Sequence, residues 1–148
     1  MVKLRNFTID DAEILKQEQS YNMSIEEIKS MICDWNKLEF QGKYFEMFAI
    51  IDDDKIVGSI SLYQLSESVV SLGLEVFIKY QRQSFGKQAA TLALQYAKNK
   101  GYKIVCNQVL TDNTASIALN KSFGFETDMY RYKNQKNKEV FIFLKSIE

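Results

Sequence analysis

The chain contains no histidine. That removes the side chain that most often serves as a general base near neutral pH, and the commonest protein metal ligand. Zinc hydrolases and Ser-His or Cys-His nucleophile systems lose their support, and no metal site is expected. Any mechanism must use carboxylates, phenols, amides, water and backbone groups. Proline is absent as well, in keeping with a compact domain without a hinge. The only cysteines, Cys33 and Cys106, form no C-x-x-C pair and read as reduced thiols in a cytoplasmic protein. No apolar run approaches the ~18 residues of a membrane span. The segment Met1-Val2-Lys3-Leu4-Arg5-Asn6 is too polar for a signal peptide. No dense Lys/Arg stripe suits a nucleic acid, so neither a membrane nor a nucleic-acid partner is expected.

What is present fits one domain over residues 1–148. Hydrophobic residues make up 46% and charged residues 26%, enough for a core that needs neither disulfide nor metal. The net charge is zero, yet residues 1–60 hold 12 acids and 7 bases, whereas residues 61–148 hold 7 acids and 12 bases. One reading of this asymmetry is varied solvated surface. The other is that the second part meets a polyanion and the first a cation.

Val2–Phe7 reads as a strand, followed by a helix opened by Thr8-Ile9-Asp10-Asp11. Ser24-Ile25-Glu26-Glu27 is a capping box for a second helix. Its stripe of Ile25, Ile28, Ile32 and Trp35 is core packing. Tyr44–Ile51 and Lys55–Tyr63 form a hairpin around Asp52-Asp53-Asp54, which reads as a solvated turn. A strand Val69–Ile78, a helix Gly86–Lys100, a strand Lys103–Leu110, a helix Asn113–Phe123 and strands Phe125–Tyr132 and Val140–Leu144 complete the order. The expected class is α/β, with the order β-α-α-β-β-β-α-β-α-β-β. It predicts a mixed, mostly antiparallel central sheet with helices on both faces.

Two stretches carry chemistry. In the first, a strand ending in Leu74-Glu75-Val76 runs through Gln81-Arg82-Gln83-Ser84-Phe85-Gly86-Lys87 into a helix. A helix N-terminus offers unpaired N–H groups and partial positive charge, and Arg82 and Lys87 add to it, so the turn suits a pyrophosphate. It is neither a G-x-G-x-x-G nor a G-x-x-x-x-G-K-[ST] loop. In the second, Asp112 or Asn113 can cap a helix on which Asn113, Ser116 and Asn120 recur on one face. By itself that stripe also fits a cap followed by solvated polar residues.

Together the two stretches resemble the signature motifs of the GNAT superfamily of N-acetyltransferases. The first matches as Gln81-x-x-Ser84-x-Gly86, the second as Asn113, Ser116, Asn120 and Gly124-Phe125. The resemblance is best over residues 47–127. In wording it is nearest the broad bacterial group that includes ribosomal-protein acetyltransferases. It implies acetyl-CoA as co-substrate, with pantetheine paired to backbone near Leu74, Glu75 and Val76. It places the pyrophosphate on the turn from Gln81 through Lys87, and gives Asn113, Ser116 and Asn120 contacts from the other side. The implied reaction is direct attack by a primary amine, of a small molecule or a peptide N-terminus, in a ternary complex. A homodimer is compatible with the family.

The chain departs from the family at Ser84, which replaces the first glycine of the turn. Asn120 stands where many relatives carry a tyrosine acid, and Gln108 where ribosomal-protein alanine acetyltransferases carry a glutamate base. An amide cannot cycle a proton, so the catalytic candidates become Asn120, as a hydrogen-bond donor to sulfur, and Glu75, as an alternative base. Tyr130, Tyr132 and Glu46 are further candidates. Their absence of a matched acid–base pair keeps a second reading open: an acyl-CoA-binding regulatory module with little or no catalysis.

Overall fold

The computed structural model describes residues 1–19 and 22–148. An eight-stranded sheet runs in the order β1-β3-β4-β5-β6-β8-β7, with β2 paired to β3 beside that path. The strands are β1 Lys3–Asn6, β2 Glu39–Phe40, β3 Lys43–Asp52, β4 Lys55–Ser66, β5 Val69–Val76, β6 Ile104–Leu110, β7 Tyr132–Lys133 and β8 Glu139–Ser146. The helices are α1 Ala12–Gln19, α2 Ile25–Trp35, α3 Phe85–Asn99 and α4 Thr114–Ser122. Every named strand pairing is antiparallel except β5 with β6. The mixed, mostly antiparallel sheet and the single α/β unit agree with the expectation from sequence.

Each face of the sheet has its own core. On one side, Ala89, Ala90, Ala93 and Ala97 of α3 are fully buried against Ile60, Leu62, Val70 and Val105. These small side chains let the helix lie close to the strands. On the other side, Leu15 of α1 and Ile28 and Ile32 of α2 pack on Phe7, Ala49 and Phe77. The capping box of α2 forms as read: Glu27 N–H donates to Ser24 Oγ and Ser24 N–H to Glu27 Oε1, both at 3.1 Å. Truncating Ile28 or Ile32 to alanine costs about 2–5 kcal/mol for a buried site of this kind. Part of the polar connection read between the first two helices, Ser20 and Tyr21, lies outside the described residues.

Two of the departures from the expected strands have a clear local cause. β5 ends at Val76 because Phe77 turns into the α1–α2 core, and Tyr80 N–H bonds Phe77 O at 2.8 Å in a short 3-10 turn. The expected strand Phe125–Tyr132 contracts to a bridge at Glu126 and the two residues of β7. The cause is Asp128, whose Oδ1 accepts Tyr130 N–H at 2.9 Å while Met129 adopts φ 59°. That side-chain turn competes with the ladder and outweighs the β-propensity of the neighbouring residues.

Candidate active site

The parallel pairing of β5 and β6 lasts only two rungs, Val69 with Ile104 and Val70 with Val105. Beyond it the strands part. Phe77 N–H bonds Val57 O at 2.9 Å, and the same register places Glu75 opposite Ser59 and Gly73 opposite Ser61. Antiparallel alternation therefore assigns the odd-numbered residues of β5 to β4 and turns the backbone of Leu72, Leu74 and Val76 toward β6. Leu72 N–H is taken by Asn107 Oδ1 at 2.9 Å. Val76 O accepts from Gln81 Nε2 at 3.1 Å. No strand pairs with Leu74 or Val76 on that side, so their N–H groups open onto a cleft.

That cleft has a volume of about 880 Å³ and runs from the parted strands to the start of α3. The first backbone bond of α3 is Gln88 N–H to Ser84 O at 3.1 Å. The N–H groups of Phe85, Gly86 and Lys87 are therefore the orphan donors of the helix start. Arg82 and Ser84 both adopt left-handed backbone, at φ 64° and 65°, which curls the turn so that its N–H groups converge on an anion. Gly86 is needed for closeness: a Cβ there would stand 3.2 Å from Leu74 Cδ2 and 3.4 Å from Val76 Cγ2. Arg82 and Lys87 form no ion pair among the described residues, whereas Lys79 is bound to Glu18 at 2.7 Å. The turn thus keeps two free cations.

From the opposite wall, Asn113 caps α4 by accepting Ser116 N–H at 3.1 Å, which leaves its Nδ2 for other partners. Asn120 is 7% exposed and Asn107 8%. Their amides form a relay: Asn107 Nδ2 donates to Asn120 Oδ1 at 3.0 Å, and Asn120 Nδ2 donates to Ser116 O at 2.8 Å. The orientation is forced. Leu72 N–H can only donate, so Asn107 must offer it oxygen and turn its NH₂ to Asn120. Asn120 Nδ2 also lies 3.5 Å from Ser116 Oγ, and the residue lines the cleft.

The residues expected at the co-substrate all line this cleft except Gln83, whose amide folds back toward Lys79 O. Glu75 is exposed and accepts Gln19 Nε2 at 2.8 Å. Gln19 Oε1 is buried without a partner among the described residues. Asn107, which sequence reasoning missed, joins strand, strand and helix. Its signal was present: Val105, Asn107 and Val109 share the buried phase of β6, and an amide between two valines there is out of pattern.

A second groove, of about 590 Å³, lies on the opposite face of the sheet. Its floor is Ser61, Ser71, Gly73, Cys106 and Gln108, and its wall is the loop around Asn134–Lys136. The two cavities share Leu72 and Asn107 in their walls, where β5 parts from β6. Burial pushes the Cys106 thiol up.

Glu46, one of the further catalytic candidates, lies outside the cleft. It is 4% exposed and accepts Tyr44 OH at 2.5 Å, Tyr96 OH at 2.9 Å and Asn6 Nδ2 at 3.0 Å. Burial, then this carboxylate, drives the Tyr44 phenol far above its ordinary value. Tyr132 donates to Asp128 Oδ2 at 2.8 Å, which raises its phenol. Among the described residues no group of three or more His, Cys, Asp or Glu side chains is placed to hold a metal ion. No helix among the described residues is long and apolar enough to cross a membrane.

The fold is shared with solved acetyltransferases. An acetyltransferase from Salmonella typhimurium that modifies the N-terminal serine of 50S ribosomal protein L7/L12 aligns with 18% identity and a TM-score of 0.83, over 99% of this chain and 95% of that one. The PaiA N-acetyltransferase of Thermoplasma acidophilum, in complex with coenzyme A, aligns with 19% identity and a TM-score of 0.67 over 99% of each chain. A chimera of the Vibrio cholerae spermidine N-acetyltransferase aligns with 15% identity and a TM-score of 0.78, over 99% of this chain and 95% of that one. No curated protein matches the chain. The family model for the acetyltransferase (GNAT) domain matches residues 2–126. The chain belongs to the GNAT acetyltransferases.

Proposed function

We propose that this chain transfers an acetyl group from acetyl-CoA to a primary amine by direct attack in a ternary complex. The observation that carries the reading is a pair of cavities that share Leu72 and Asn107 in their walls, beside the unpaired N–H groups of Leu74 and Val76. Acetyl-CoA supplies the thioester. The donors of Phe85, Gly86 and Lys87, with Arg82, bind its pyrophosphate. The backbone of Leu74 and Val76 pairs with the pantetheine arm, and one of the two N–H groups stabilises the oxyanion as the thioester carbonyl becomes tetrahedral. The amine reaches this point through the smaller groove, so positioning supplies much of the rate.

Proton handling falls to groups outside a tyrosine–glutamate pair. The amine loses its proton to Glu75 or to water. As the new C–N bond forms and the C–S bond breaks, the nitrogen gives up its second proton to water, and sulfur leaves as thiolate with Asn120 Nδ2 donating a hydrogen bond to it. The amides at 108 and 120 also favour a second reading, a CoA-binding module with little turnover. Release of free CoA, read with a thiol reagent across a panel of amines, separates the two. Turnover that depends on the amine supports transfer. Acetyl-CoA binding without turnover on any amine supports the module. Acetyl-CoA that fails to raise the melting temperature contradicts both.

A further inference from the structure

The acidic excess of residues 1–60 led to the expectation of a cationic acceptor, and the structure disperses those acids. Glu46 lies beneath Tyr44 and Tyr96, Asp11 is held by Arg5 at 2.8 Å, and Glu18 is bound to Lys79. Asp52 ends β3, and Asp53 and Asp54 form the β3–β4 turn. The smaller groove contains no carboxylate among its described lining residues. Its single ionised side chain is Lys136, which makes no ion pair among the described residues.

The groove is instead rich in donors. Asn134 Oδ1 accepts the N–H groups of Lys136 and Lys138 at 2.9 and 3.0 Å, and Asn134 N–H bonds Lys138 O at 2.9 Å. These bonds hold the loop and fix the Asn134 amide with its NH₂ available. The hydroxyls of Ser61 and Ser71 and the amide of Gln108 also line this groove. A second cation on the acceptor would enter without a counter-charge and meet Lys136. A carboxylate would find an ammonium and several N–H and O–H donors. At the transfer end, strand alternation puts Glu75 on the same face as Gly73 and Ser71, where it suits the ammonium form of an arriving amine.

Resting on the reading of this groove as the acceptor's entrance, we propose that the acceptor is an amine bearing a carboxylate, an amino-acid derivative or an acidic peptide N-terminus. The amine lies toward Glu75 and the carboxylate toward Lys136. Polyamines and lysine-rich acceptors are disfavoured.

The test is calorimetric titration of the protein–CoA complex with serine-initiated tetrapeptides that differ only in carrying glutamate, glutamine or lysine after the first residue, with spermidine as the polycation. The glutamate peptide is expected to bind at least about fivefold more tightly than the lysine peptide, the scale of one solvent-exposed ion pair. Lys136→Glu should reverse that order while leaving acetyl-CoA affinity unchanged, and Lys98→Glu, on the outer side of α3, should preserve it. Tighter binding of spermidine or the lysine peptide to the wild-type protein overturns the proposal. So does an order that survives Lys136→Glu, or binding of none of the peptides. Release of CoA from acetyl-CoA, followed in parallel, reports on acetyl transfer itself: acidic peptides that bind but are not acetylated sink the catalytic reading and leave the acceptor-site assignment standing.

Discussion

Asn107 and Asn120 share one buried hydrogen bond, 3.0 Å from the Nδ2 of the first to the Oδ1 of the second, across the seam between β6 and α4. Because Asn107 also holds Leu72 N–H, the pair ties the parted strand β5 to the helix that faces it. Removing either amide strands a buried partner, which costs about 1–3 kcal/mol. Asn107→Ala and Asn120→Ala should each be destabilising, and the double variant should lose less than their sum, with a coupling energy of about 0.5–3 kcal/mol. Urea denaturation of the four proteins measures it. Strict additivity would show that the relay does not act as a unit. Asn120→Ala should also slow turnover by no more than roughly 10- to 200-fold, equal to one hydrogen bond of ~1.5–3 kcal/mol to a charged sulfur.

The phosphate turn gives a contrasting pair. Ser84 holds left-handed backbone at φ 65°, a conformation that strains any residue with a Cβ by about 1–2 kcal/mol. Ser84→Gly relieves it, less the entropy that glycine loses on folding, and should raise Tm by about 1–3 °C while acetyl-CoA still binds. Gly86→Glu drives a side chain toward Leu74 and Val76 and sets a negative charge at the phosphates, and should abolish binding. Scanning calorimetry and titration report on the two. Undiminished affinity in Gly86→Glu would remove the turn from the co-substrate site.

The pH–rate profile follows from the groups that cannot titrate. Positions 108 and 120 are amides. Tyr44, Tyr96 and Tyr132 all have phenols raised above their ordinary value: the first two by burial and then Glu46, the third by its bond to Asp128. The rate should therefore rise as the bound amine loses its proton, with no alkaline fall before about pH 9–10. Asn120→Tyr should introduce an alkaline limb if the new hydroxyl reaches the sulfur. A steep wild-type fall near pH 8 would reveal an acid outside this set.

Acid stability tests a different region. Burial pushes the Asp11 carboxyl up, but the Arg5 hydrogen bond, Thr8 N–H and the Arg5 charge together outweigh it and hold the pKa below the ordinary aspartate value. A lowered folded-state pKa gives stability that is present above the unfolded value, about 3.9, and lost as pH falls through the folded one. Asp11→Asn should cost on the order of 1 kcal/mol at pH 7, a modest figure because Arg5 is half exposed and screened. Urea midpoints for variant and wild type should converge by about pH 2–3. A gap that persists in acid would assign the loss to packing.

Much of the fold could be read from the chain because its signals are local. The capping box at Ser24, the acidic turn at Asp53, where φ is 49°, and the alanine stripe of α3 each fix an element from a few adjacent residues. The turn before Gly86 was legible for the same reason. What stayed hidden depends on contacts distant in sequence. The bond from Asn107 to Leu72 spans 35 positions, and that from Tyr96 to Glu46 spans 50. The regional charge count misled for this cause: it records how many carboxylates a segment carries, whereas packing decided that Glu46 faces tyrosines and Asp11 faces Arg5. The contraction of the strand after Phe125 is the converse case, since one side-chain turn at Asp128 outweighed a run of strand-forming residues.

The two-rung junction of β5 with β6 has a mechanical consequence. Everything from β1 to β5 forms one plate of the sheet, and β6, β8 and β7 form another. Across the seam the backbone contributes little, so the plates are joined chiefly by core side chains such as Val70 and Val105 and by the Asn107 amide. A pantetheine arm threaded along Leu74 and Val76 would act as a splint, supplying the strand that the sheet itself omits. Amide exchange should then be heterogeneous in the free protein, fastest along the facing edges of β5 and β6, and should slow there more than anywhere else when the thioester arrives.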